Sequence, residues 1–243
     1  MNLDAPTLTA IARALQLTAW EQVELFAAAA EVDSQPHGTI QDQAPATLHT
    51  LVKLISEIRL PAFVHDGYAN VLAGNTLALT LLNVPEALIT SGPTLVSGFN
   101  LLRFVFSPES PFKAMLGEEW FGRATSNVNY FRAASLRYRH TPRFKRILAE
   151  LTAYPSFRDI WFDTQIYAEE LTFEWTGYTF THAAYGAVNF VSHISQTLTS
   201  QGALHLATFL PRNRTTAELF ESIIQQQGLG VRRFLTWPYE GSR

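Results

Sequence analysis

Cysteine is absent from this 243-residue chain. That excludes a disulfide scaffold, a thiol nucleophile and any cysteine-based zinc or iron–sulfur site. It also fits a reducing compartment, and the cytoplasm is the expected location. Charge is scarce as well: only 16% of residues are charged and the formal net charge is −3. Such a chain lacks the overall basic excess that drives non-specific nucleic-acid binding, although a local patch is compatible with it. Long apolar runs are missing too. The stretch from Val71 to Leu82 is broken by Gly74, Asn75 and Thr76, well short of the roughly 20 residues a spanning helix needs. Residues 1–10 (MNLDAPTLTA) lack the basic segment and apolar core of a signal peptide.

Catalytic signatures are equally lacking. There is no Gly-x-Ser-x-Gly elbow. The adjacent carboxylates Glu118-Glu119 and Glu169-Glu170 diverge on any helix or strand, so neither pair can share a site. Gly228-Leu-Gly230 is too short to cradle a phosphate. The expectation is a protein that is not an enzyme and needs no cofactor.

What is present is apolar and ring-rich. Hydrophobic residues make up 47% of the chain and aromatic ones 12%, with 17 Phe, 8 Tyr and 5 Trp. This argues against disorder and for a bulky interior or a pocket built from rings.

Along the chain, residues 4–30 read as two short helices. Asp4 is a cap for the first, with Leu8, Ile11, Ala12 and Leu15 at helical spacing, and Thr18 with Glu21 forms a capping-box pattern for the second. Residues 33–45, holding Pro36, Gly38 and Pro45, read as a linker. A helix follows with Leu48, Leu51, Val52, Ile55 and Ile58 on one face, stopping before Pro61. Residues 62–66 and 68–73 around Gly67 then read as a tight hairpin, and Asn75 as the cap of a helix through Leu82. Helices are expected at 98–106, over Glu118 to Tyr138 as one long element, at 142–152, at 156–167 with Ser156 as cap, and at 215–227 ending at Gly228. Between the last two, 171–182, 187–198 and 203–210 read as strands; in the middle one Val188, Phe190, Ile194 and Leu198 mark the buried side, and Asn189, His193 and Ser195 the other. Hairpin, helices, then a meander predict an α+β fold: an antiparallel sheet with helices on one side.

The candidate chemistry is modest. His65, His193 and His205 fall in strands and His182 at a strand end, but no His-x-His or His-x-x-x-His spacing supports a metal, so none is expected. The stretch Arg132, Arg137, Arg139, His140, Arg143, Lys145 and Arg146 reads as a solvated face rather than an anion site. Arg103 sits inside Leu-Leu-Arg-Phe-Val-Phe, where a charge needs a partner; an internal salt bridge and an anchor for a ligand carboxylate both answer that need. Phe99, Phe104, Phe106, Phe121, Phe131, Trp161, Phe180 and Phe190 could line a cavity between sheet and helices or fill a solid core.

Several segments carry a family resemblance. Residues 3–21 (LDAPTLTAIARALQLTAWE) resemble the last two helices of an XRE-type helix-turn-helix domain. Residues from about 59 to 213 resemble an MmyB-like ligand-binding domain. The likeness rests on Leu60-Pro-Ala-Phe-Val64, Val71-Leu-Ala-Gly-Asn75, Asn100-Leu-Leu-Arg-Phe-Val-Phe106, Ser156-Phe-Arg-Asp-Ile-Trp161 and His182-Ala-Ala-Tyr-Gly186. Tyr68 stands where the family often has Trp, and Ala183 where it often has Pro. The resemblance implies a PAS-like fold and a bacterial transcription regulator that senses a small molecule. It divides the chain into helix-turn-helix remnant (1–32), linker (33–45), PAS-like domain (46–214) and a C-terminal helix and tail (215–243).

With that resemblance the rings read as pocket walls. The ligand-contacting candidates are Phe63, His65, Phe99, Arg103, Phe106, Phe121, Phe131, Trp161, Phe180, Phe190 and His193. The expected ligand is small and largely apolar, a fatty acid being one such molecule. The alternative is an interaction or dimerisation module without a ligand, and a homodimer stays open in either case. No membrane partner is expected, and DNA would be met only through a complete helix-turn-helix domain. The resemblance puts the positioning and recognition helices ahead of residue 3. This chain alone is therefore expected not to bind a specific operator; a salt-sensitive, sequence-specific gel shift would overturn that.

Overall fold

In the computed structural model the residues described are 4–15, 17, 21–22, 25–26, 29, 44–90, 99–163, 176–199 and 201–238. The fold is organised around a hairpin of β1 (Ala62–Asp66) and β2 (Val71–Asn75), as the turn at Gly67 predicted. Asp66 closes the turn, its Oδ1 accepting from the Tyr68 and Asn70 N–H groups at 2.9 and 2.8 Å. Gly67 is required by close approach, because a Cβ there would lie 2.3 Å from the Tyr138 ring. A bulge shifts the register, so that Val64 faces Ala73 while His65 faces Val71.

The last third supplies the meander: β3 (Thr176–His182), β4 (Gly186–Thr199) and β5 (Gly202–Pro211). A short β6 (Val231–Arg233), absent from the sequence reading, completes a six-stranded antiparallel sheet in the order β3-β4-β5-β1-β2-β6. The antiparallel α+β architecture expected of a PAS-like domain is thus present.

Strand pleating separates the two faces of this sheet. One face carries Phe63, His65, His205, Ala207, Phe209, Phe190, Ser192, Ile194, Tyr178 and Phe180, in register across β1, β5, β4 and β3. A helical layer packs on it through one continuous cluster of apolar side chains. It comprises α3 (Thr76–Leu81), α4 (Glu86–Thr90), α5 (Leu101–Phe106), α6 (Phe112–Leu116), α7 (Trp120–Ala134), α8 (Pro142–Leu151), α9 (Pro155–Phe162) and α10 (Arg214–Gln227). The reverse face is not bare. There α2 (Ala44–Glu57) sets Leu48, Val52 and Ile55 against Ala62, Val64, Leu72, Leu204 and Trp237. At the N-terminus α1 (Ala5–Ala14) is capped by Asp4, which accepts from the Thr7 N–H at 2.9 Å.

Asn75 joins these layers. Its Oδ1 accepts from the Ala78 N–H at 2.9 Å, capping α3 as expected, and from the Ala62 N–H at 3.0 Å. Its Nδ2 donates to the carbonyls of Ile55 and Leu60 at 3.2 and 2.7 Å. One buried amide therefore ties together the end of α2, the start of β1 and the start of α3.

Several expectations are corrected. The helix over 118–138 is three pieces: a 3-10 turn at Gly117–Glu119, then α7, then a 3-10 turn at Leu136–Tyr138. The Ser135 hydroxyl donates to the Phe131 carbonyl where α7 ends. Within α7 Trp120 takes the buried position, its Nε1 donating to the Val105 carbonyl at 3.2 Å, and Phe121 turns outward. Ser156 is not the cap of α9; Pro155 opens that helix, following Tyr154, and the helix stops at Phe162. Leu198 is half exposed rather than buried, because β4 runs past the helical layer. Residues 33–43 of the proposed linker, Thr18 of the capping box, 164–167 and 171–175 lie outside the described residues, whereas 44–45 already belong to α2. Among the described residues no helix is long and apolar enough to cross a membrane.

Asn75→Ala strands two N–H groups and two carbonyls in a buried setting. A loss of about 3 kcal/mol is expected, at the upper end for a single buried polar side chain. Urea denaturation of the variant beside the unsubstituted protein measures it; a loss below about 1 kcal/mol would show that these groups find other partners.

Candidate ligand cavity

Between the helix-facing side of the sheet and the helices lies a cavity of about 90 Å³. The sheet contributes Phe63 and His65 from β1, Tyr178 and Phe180 from β3, Phe190, Ser192 and Ile194 from β4, and Ala207 and Phe209 from β5. The roof is Leu101, Phe104 and Val105 of α5, Phe112 of α6, Asn127 and Tyr130 of α7, and Leu82 after α3. The polar groups are few: His65, Asn127, Tyr130, Tyr178 and Ser192 among rings and aliphatic chains. That is the composition of a small-molecule site.

Phe63, His65, Phe180 and Phe190 of the sequence candidates meet at this cavity. The others do not. Phe106, Phe131 and Trp161 belong to a packed ring cluster with Phe144 and Phe157, with centroids 5.4–6.4 Å apart. Phe99 packs edge-on against Phe234 at 5.0 Å. Arg103 is buried in α5, has an interaction of its own within the fold, and does not border the cavity. Phe121 is 56% exposed. His193 points from β4 in the opposite sense to Ser192 and Ile194, as strand alternation requires, so it too is off the cavity.

The sequence reading missed Tyr130, Tyr178, Asn127, Ser192, Ala207 and Phe209 as lining residues. Alternation signals some of them. Counting in twos from Phe190 reaches Ser192 and Ile194, and Phe180 leads back to Tyr178. Asn127 and Tyr130 share a helix flank by their spacing of three. The identity of the facing strand had no such signal.

Beside the cavity two buried histidines and the part-buried Tyr130 form an aromatic triad. His65 and His205 are cross-strand partners whose rings stack at 4.8 Å with planes 4° apart. Tyr130 meets both edge-on, and its hydroxyl lies 2.8 Å from His205 Nδ1. Burial lowers the His65 pKa to about 4, against a smaller opposing effect of its hydrogen bond to the Asp66 carbonyl. Burial also holds His205 well below the usual imidazole range, with His65 and the Arg137 guanidinium acting in the same direction. Both rings are therefore neutral near pH 7. Among the described residues no group of three or more His, Asp or Glu is placed to hold a metal ion.

The basic stretch is not simply solvated. Glu21, only 1% exposed, accepts a hydrogen bond from Arg139 and has Arg132 Nε at 3.7 Å. Arg132 also donates to the Trp161 carbonyl at 2.8 Å and lies over that ring. This links the N-terminal segment to α7, the helix that brings Asn127 and Tyr130 to the cavity.

The buried histidines make stability depend on pH. The folded value of His65 is depressed relative to about 6.5 in the unfolded chain, so its contribution is complete above pH 6.5. It is lost as pH falls toward 4, because only the unfolded chain takes up the proton. For His65 alone the loss by pH 4 is about 3 kcal/mol. Urea melts from neutral pH downward measure the slope, and His65→Phe is expected to flatten it. An unchanged slope in that variant would refute the assignment.

Comparison with known proteins gives one positive result. No curated protein matches the chain. The family model of the MmyB-like transcription regulator ligand binding domain matches residues 44–223, which span α2, the cavity-lining strands and most of α10. By that match, and with the cavity in the place where a ligand-binding domain needs one, the chain belongs to the MmyB-like transcription regulator ligand binding domain family.

Proposed function

We propose that this chain is the sensor part of a bacterial transcription regulator, and that a small, largely apolar molecule in the cavity is its signal. The observation that carries this reading is the apolar, ring-lined space of about 90 Å³ between sheet and helices. An engineered apolar cavity of about 150 Å³ takes up benzene, so the space here suits a small group or the end of a longer molecule. The alkyl chain of a fatty acid is of this chemistry.

Residues 1–32 are read as helices of an XRE-type helix-turn-helix domain, through which the regulator meets DNA. Two contacts lead from the cavity toward it. One is α2, on the reverse face of β1; the other runs along α7 from Tyr130 to Arg132 and so to Glu21. A ligand that favours one setting of α7 would bias the N-terminal helices by its difference in affinity for the two settings.

The outward rings Phe121 and Phe162, 56% and 65% exposed, favour a second reading, a dimerisation module. Native mass spectrometry of the purified chain reports bound organic molecule and subunit count together. The sensor reading expects a bound or readily taken-up acyl compound that raises the melting temperature. It also expects Ala207→Leu, which grows a side chain into the cavity, to abolish uptake while leaving the fold stable. An oligomer with no uptake across an acyl-chain library would refute the sensor reading and favour the interface.

A further inference from the structure

Charge is unevenly placed along this chain. Residues 120–149 hold seven of its 18 Lys and Arg residues and none of its 21 Asp and Glu residues. The segment runs from α7 through the 3-10 turn at Leu136–Tyr138 into α8. A protein of net charge −3 therefore carries a strongly basic block, and outside it acids outnumber bases. The fold uses part of the block internally: Arg123 pairs with Glu119, and Arg132 and Arg139 hold Glu21. On α8 that use stops. Phe144, Ile147 and Leu151 form its buried stripe, and Pro142, Lys145, Arg146 and Ala149 form the exposed ridge opposite, at helical spacings. His140, also exposed, leads into this ridge. Among the described residues no carboxylate pairs with Lys145 or Arg146.

The place of this ridge points to its partner. Arg139 grips Glu21, in the segment read as helix-turn-helix, and only two residues and the first turn of α8 separate Arg139 from Lys145. A surface that adjoins a DNA-reading domain is brought alongside the flanking duplex, whose phosphates present about one negative charge per 1.7 Å of axis. On this basis, and resting on the reading of the chain as part of a transcription regulator, we propose that the exposed ridge of α8 is a second DNA contact. Lys145 and Arg146, with His140 beside them, meet backbone phosphates next to the site the helix-turn-helix domain occupies. Contacts to phosphates add affinity and fix orientation without reading bases, so the contact is indifferent to sequence. The acidic remainder of the surface repels DNA and confines the contact to this face.

The test titrates the full chain into two fluorescently labelled DNA duplexes of unrelated sequence and follows anisotropy as salt is raised. Equal binding of both duplexes at low salt is expected, weakening with a log–log slope of about −2 to −3, the signature of two or three phosphates. Lys145→Glu with Arg146→Glu is expected to lower the low-salt affinity at least about tenfold and to flatten the slope by about 2. The control is Arg212→Glu with Arg214→Glu, two exposed positions whose reversal changes the net charge equally. They follow the far end of β5, whose near end meets the Tyr138 hydroxyl at Ala203. A strand of that length spans about 30 Å, well beyond the screening length, so the control is expected to keep its affinity within about threefold. Should the α8 variant fail to fold, the backbone amide resonances of Lys145 and Arg146 in the unsubstituted protein decide instead, since they are expected to move on adding duplex. No binding at low salt, unmoved resonances, an equal loss in both variants, or tighter binding to phosphatidylglycerol vesicles than to DNA overturns the proposal. None of these outcomes touches the sensor reading, which stands or falls on uptake at the cavity.

Discussion

Buried backbone groups must be paired, and at the junction of β2 with α3 a single side chain meets that demand four times. Asn75 accepts from two N–H groups and donates to two carbonyls, drawn from α2, β1, α3 and the segment between α2 and β1. Without it the end of one helix, the start of another and the first strand would each leave polar groups in an apolar setting. A second set of amides does the same at the other end of the hairpin. Asp66 holds the turn, Asn70 accepts from Asn100 at 3.1 Å, and the Asn100 side chain caps α5. The β1 wall and the α5 roof of the cavity therefore take their positions from Asp66, Asn70, Asn75 and Asn100, none of which borders it.

This arrangement explains which parts of the fold were legible in the sequence. Local signals were read correctly where they decide local structure. Asp4 and Asn75 precede helices as caps, Gly67 marks the hairpin, and Gly228 ends α10. The alternating runs of the last third gave the meander, and Phe63, His65, Phe180 and Phe190 were named as candidates for the space they border. What escaped was set by distant partners. The other three bonds of Asn75 depend on residues 13 to 20 positions away, and Tyr130 meets His205 across 75. The choice of Trp120 over Phe121 for the interior of α7 was settled by the Val105 carbonyl, which only the indole N–H could satisfy. Helical spacing alone allowed either.

The aromatic residues divide into two populations, and the division bears on function. One group, around Phe106, Phe131, Phe157 and Trp161, packs ring on ring and leaves no room. The other, including Phe63, Phe180, Phe190 and Phe209, surrounds space. Interiors normally close such gaps, because each unfilled volume forfeits dispersion contacts. Here the gap is bordered by His65, a fully buried imidazole stacked on His205, a second departure from ordinary core packing at the same place. Two departures from local rules at one point mark a place where function is expected to lie.

In the proposed sensor reading a bound molecule must also be felt elsewhere, and α7 is placed to pass its effect on. Asn127 and Tyr130 reach the cavity from one side of the helix, while Arg132, two residues on, reaches Glu21 in the N-terminal segment. The Glu21 carboxylate is buried and held by Arg139 as well, so moving the end of α7 without Glu21 would leave a buried charge short of a partner. In the proposed reading that contact is the short route by which a displacement at Tyr130 would reach the N-terminal segment at Glu21. A ligand occupying about 90 Å³ makes few contacts, so the bias it can impose is limited to the difference in those contacts between two settings of one helix. A coupling built on α7 asks for no larger rearrangement than such a ligand can drive.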